Sequence, residues 1–131
     1  MLRRCLFLVA SLLLASLASA QVGHPAKGSW SGYWGTSDAD KHRILLVLDW
    51  RDRELSGEIN PGPNAVRLDR VSLDVATWTL TFETLMPDAS GRTLPFVATG
   101  QLSNLGSWTN RRYAGTYTFG PEKGRFTVTL N

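Results

Sequence analysis

The sequence predicts an all-β protein, read as an eight-stranded antiparallel up-and-down barrel with a two-sheet β-sandwich as the alternative. Three observations lead there. Apolar and polar residues alternate with period two in segments that recur about every dozen residues. No segment shows the period of an amphipathic helix. The connections are all short enough to be hairpins, so nothing offers a crossover helix. Closure removes exposed strand edges, which favours the barrel over the sandwich.

The elements follow in order. Gly28 to Trp34 forms the first strand, with Trp30, Gly32 and Trp34 on one face and Ser29, Ser31 and Tyr33 on the other. Large inward rings would plug a barrel, and Gly32 between them leaves room for a facing side chain or a bend. His42 to Trp50 is the second strand, with Ile44, Leu46, Leu48 and Trp50 in phase. A turn at Arg51-Asp52-Arg53 leads to the third, carrying Leu55, Gly57 and Ile59. Asn60-Pro61-Gly62-Pro63-Asn64 is a turn, because two prolines and a glycine do not sit inside a ladder.

Val66 to Leu73 is the fourth strand, with a bulge expected near Asp69-Arg70 where the apolar phase slips by one residue. Trp78, Leu80 and Phe82 alternate with threonines and Glu83 in the fifth. After a loop at Pro87 to Gly91, the sixth carries Leu94, Phe96, Ala98 and Gly100. The seventh runs from Arg111 to Thr118, and the eighth holds Phe126, Val128 and Leu130.

Residues 1–20, MLRRCLFLVASLLLASLASA, read as a signal peptide: a basic start, an apolar run from Leu6 to Ala15, and a small-residue Ala18-Ser19-Ala20 end. The expected product, residues 21–131, is one domain, exported to the periplasm or the extracellular space as a monomer. It contains no cysteine, which excludes disulfides, thiolate metal sites and cysteine catalysis. Losing Arg3 and Arg4 takes the 14 basic residues to 12 against 11 acidic ones, a net charge of +1. That balance gives no electrostatic case for nucleic acid or a membrane.

Gly28-Ser29-Trp30 at the start of such a chain resembles the G-x-W motif of the calycins, the lipocalin and avidin group. That resemblance implies a tryptophan closing one barrel end with an arginine packed across it, Arg125 or one of Arg111 and Arg112. Gly28 to Gly32, Gly57 to Gly62 and Gly115-Thr116-Tyr117 are also similar to a G-x-W-x-G start, a turn of the G-x-(I/V)-N-P-G kind and a late G-T-(W/Y). Secreted bacterial β-domains share these, and the resemblance implies the fold and no activity.

No catalytic constellation emerges. Glu54 and Glu58 fall on the outward face, no G-x-S-x-G elbow occurs, and neither histidine has triad neighbours. Thr36 to Asp40 offers alternate oxygens but lacks the rest of a calcium loop, so it reads as a solvated hairpin. The expected role is non-enzymatic binding, with no cofactor and no metal. Trp30, Trp34, Trp50, Tyr113 and Tyr117 either fill the interior or hold a small apolar or amphipathic ligand in it or at its mouth. One of Arg111 and Arg112 points inward, to meet a carboxylate or carbonyls or to neutralise an anionic ligand, and Arg112 is the candidate. The alternative is a protein-interaction module, an inhibitor or accessory subunit of an exported enzyme. It would use Asn64 and Trp108 on the loops at 60–64 and 104–110.

Overall fold

A computed structural model describes residues 23–131; the leader read from residues 1–20 lies outside the described residues. The chain is all-β. Its strands are β1 (Gly28–Ser37), β2 (Asp40–Arg51), β3 (Glu54–Ile59), β4 (Val66–Arg67), β5 (Arg70–Asp74), β6 (Thr79–Pro87), β7 (Thr93–Ser103), β8 (Arg112–Phe119) and β9 (Glu122–Leu130). They form one antiparallel sheet in the order β4-β3-β2-β1-β9-β8-β7-β6-β5. Among the described residues there is one sheet, so the two-sheet alternative is not adopted, and the strand order runs from β4 to β5 without closing into a barrel.

Among the described residues nine strands stand where eight were expected, because the predicted fourth strand is cut at Leu68-Asp69. This is one residue before the expected slip of phase. The cut changes partner: the Leu68 amide donates to the Gly57 carbonyl (2.9 Å) and the Asp69 amide to the Glu83 carbonyl (2.9 Å). Residues 66–67 therefore pair with β3 and residues 70–74 with β6. The Thr84 hydroxyl on β6 also donates to the Arg67 carbonyl on β4, so the two ends of the strand order touch.

One face of the sheet carries the core. Trp30, Leu46, Leu48, Leu80, Phe82, Phe96, Tyr113, Tyr117 and Val128 are all buried there, and period-two alternation sets their neighbours outward. Gly32 permits a close approach of strands: a Cβ there would fall on the Thr127 carbonyl of β9. The β2–β3 connection has Asp52 and Arg53 both at positive φ (54° and 65°), as a two-residue turn matched to strand twist requires.

Trp78 departs from expectation. It lies in the turn before β6 with φ 55°, not on the strand, and its half-buried ring packs on the edge of the core. Its carbonyl accepts from the Leu102 amide (2.9 Å), which fixes the turn to β7.

Candidate functional site

The buried face is filled by rings from end to end. At the end where β1 starts, Trp30 is fully buried and its indole N–H donates to the Ala26 carbonyl (2.9 Å). The residues before β1 form a turn there, with the Lys27 amide bonded to the His24 carbonyl and the Ala26 amide to His24 Nδ1. That bond requires an unprotonated Nδ1, and partial burial against Trp50, 4.4 Å between ring centroids, holds the His24 pKa below its ordinary value.

The arginine at this end is Arg111, only 3% exposed. Its guanidinium donates to the carbonyls of Pro25 (2.8 Å) and Leu105, and lies 4.2 Å from the centroid of Trp108. Arg112, expected to point inward, is exposed. The reason is parity: Tyr113 and Tyr117 take the buried face of β8, so residue 112 between Arg111 and Tyr113 must face out. The aromatic partner of the buried arginine is likewise Trp108 and not Trp30.

Midway along the core, Tyr113 packs edge-on to Phe126 (4.7 Å) and donates its hydroxyl to the Leu80 carbonyl (2.8 Å). Burial pushes its pKa far above the ordinary phenol value. At the other end, Trp34 meets His42, Tyr117, Phe96 and Phe119 at centroid distances of 4.9 to 6.1 Å. The Tyr117 ring stacks on Phe96 (5.3 Å), and its hydroxyl donates to Glu122 Oε2 (2.9 Å). Burial, and secondly this bond to a carboxylate, raise its pKa as well. Both phenols are protonated donors with committed partners.

The sequence-predicted residues are thus not brought together. Trp30 and Trp50 stand at one end, Trp34 and Tyr117 at the other, Tyr113 between them, and Arg112 outside. Trp108 is half exposed with Arg111 against its ring, and Asn64 is exposed in the turn after β3. His24 and His42 sit on Trp50 and Trp34 respectively. Among the described residues no three potential metal ligands cluster.

Open space lies on the outward face instead. A groove of about 750 Å³ is lined by Tyr33, Trp34, Asp38, Lys41, Arg125 and Thr127 among others, so of the sequence-predicted residues Trp34 borders it. A second of about 430 Å³ borders Tyr33 from the other side, with Arg43, Leu45 and Asn60. Tyr33 separates them, 48% exposed, between Arg43 on β2 and Thr127 on β9. Sequence reasoning placed Tyr33 outward but gave it no role. The signal it lacked was the pairing of β1 with β2 on one side and β9 on the other, which gathers cations from distant parts of the chain around that ring.

Comparison with protein-family models, with curated proteins and with solved structures finds no match for this chain.

Proposed function

We propose that this protein is an exported, non-enzymatic binding domain of calycin-like build that acts through its outward surface. In this reading the sheet curls toward a barrel, supported by the Leu68 and Asp69 amide bonds that join the ends of the strand order through one kinked segment. The observation that carries the function is the contrast in space. Rings packed edge to face occupy the interior from Trp30 to Trp34, whereas the groove beside Tyr33 is open.

Titration of the purified protein with N-phenyl-1-naphthylamine, an apolar probe that brightens in dry pockets, tests this. A filled interior predicts no saturable one-to-one binding. Stoichiometric binding that tracks Tyr113→Phe rather than Tyr33→Ala would return the ligand to the interior and overturn the proposal.

A further inference from the structure

The charge on this surface is segregated in a way that the small net charge conceals. Outward positions of the four neighbouring strands β2, β1, β9 and β8 carry Lys41, Arg43, Lys123, Arg125 and Arg112. The sole outward carboxylate of those strands is Asp49, near the Trp30 end, where Lys27 and Arg51 flank it at 3.9 and 3.5 Å. Among the described residues, Arg43, Lys123, Arg125 and Arg112 form no ion pair. Lys41 pairs with the exposed Asp38 at 3.4 Å, and both line the groove beside Tyr33. The outward acids Glu54, Glu58, Asp74 and Glu83 lie on β3, β5 and β6, elsewhere on the sheet.

The register sharpens this into a seat. Gly35 is paired with Lys41 on one side and with Arg125 on the other. Two strand spacings set those two cations about 10 Å apart, and Gly35 between them is buried against the Asp40 carbonyl. Two residues back along β1, about 7 Å away, Tyr33 presents its ring between Arg43 and Thr127. Thr36, Ser37, Thr116 and Thr127 supply hydroxyls along the same groove.

Resting on the surface-binding reading above, we infer that this groove binds a linear acidic polysaccharide. Its anionic groups meet Arg43 and Arg125, which form no ion pair and flank β1 from β2 and β9, and an adjoining sugar ring lies on Tyr33. Charge complementarity sets the sign of the ligand. An extended peptide on a β-protein takes main-chain bonds from a sheet edge, and β1 and β9 are paired on both sides, so that source of affinity is missing here. A membrane-binding face needs several apolar side chains projecting beside its cations. This face projects only Tyr33 and Leu45, and its centre is a groove. A concave floor with one flat ring, hydroxyls and separated cations fits a sugar chain carrying carboxylates or sulfates.

The test is a binding titration of the purified protein at low and at 0.5 M salt. The probes are polygalacturonate, dextran sulfate, neutral dextran, poly-L-glutamate and phosphatidylglycerol vesicles. The proposal expects one or both acidic polysaccharides to bind and salt to weaken them, with polygalacturonate and dextran sulfate telling carboxylate from sulfate. Arg43→Ser with Arg125→Ser weakens binding about tenfold or more, the loss of about 1.4 kcal/mol or more. The Lys pair at those sites restores it, and Tyr33→Ala weakens it without changing the circular dichroism. No binding of either acidic polysaccharide, equal binding of neutral dextran, or indifference to the arginine variants overturns the proposal. Preferred binding of poly-L-glutamate or vesicles through these same arginines also overturns it, while leaving the surface reading intact. Binding lost in Tyr113→Phe and kept in the surface variants would end both.

Discussion

The two faces of β1 are built from the same kind of residue and used in opposite ways. Inward, Trp30 and Trp34 are held by neighbours on β2, β7, β8 and the leading turn: the buried Trp30 indole has its carbonyl, and the half-buried Trp34 ring has four aromatic contacts. Outward, Tyr33 is half exposed, with Lys41 5.9 Å from its ring centre and a groove on either side. An aromatic ring alone therefore says nothing about ligand binding. What separates the two faces is whether the polar and apolar surface of the ring is already matched within the protein.

The largest effect expected from that contrast is at Trp30. Trp30→Ala should cost about 3–5 kcal/mol in urea unfolding, a large share of the total stability of a small domain. Tyr33→Ala should stay within about 0.5 kcal/mol; a comparable cost at both would erase the distinction. Gly32→Ala comes next. Its Cβ has nowhere to go but into the Thr127 carbonyl, so β1 and β9 must part, at about 1–3 kcal/mol or more.

Arg111 and Arg112 repeat the contrast on β8 and the residue before it. Arg111→Leu strips the Pro25 and Leu105 carbonyls of their donor and should cost about 1–3 kcal/mol in the same assay. Arg112→Ala should cost almost nothing, and equal losses would mean the parity assignment is wrong. In the β2–β3 turn, Arg53→Gly relieves a positive φ and should stabilise by up to about 1 kcal/mol. Loss of stability there would show that the Arg53 side chain contributes more than its backbone costs.

The smallest effect concerns pH. The His24 pKa is lowered in the folded state, so the folded protein binds fewer protons than the unfolded one. The stability from its neutral ring is fully present above the ordinary value of 6.5 and is lost as pH falls through the lower folded value. Thermal unfolding of the wild type below pH 6.5 should therefore decline more steeply than that of His24→Gln. Parallel profiles would detach His24 from the stability of the leading turn.

Period-two alternation was enough to place the strands, because an antiparallel sheet with one buried face writes its inward residues into every second position. It also located the disturbance in the fourth strand within a residue. It failed at Trp78, where alternation continued through a residue whose backbone had turned to φ 55° to fix the β5–β6 connection. It failed at the arginines because strand phase was not carried back one residue from Tyr113.

What the sequence by itself determined is therefore local: an all-β chain, hairpin connections, and the inward or outward sense of most side chains. Tertiary structure alone decided which strands are neighbours. That placed Gly35 between Lys41 and Arg125, residues six and ninety positions away along the chain. It also decided that the rings of Trp30, Tyr113 and Trp34 fill one continuous core. Side-chain direction follows from backbone geometry over two residues, whereas cross-strand pairing depends on which distant segments the shared core draws together.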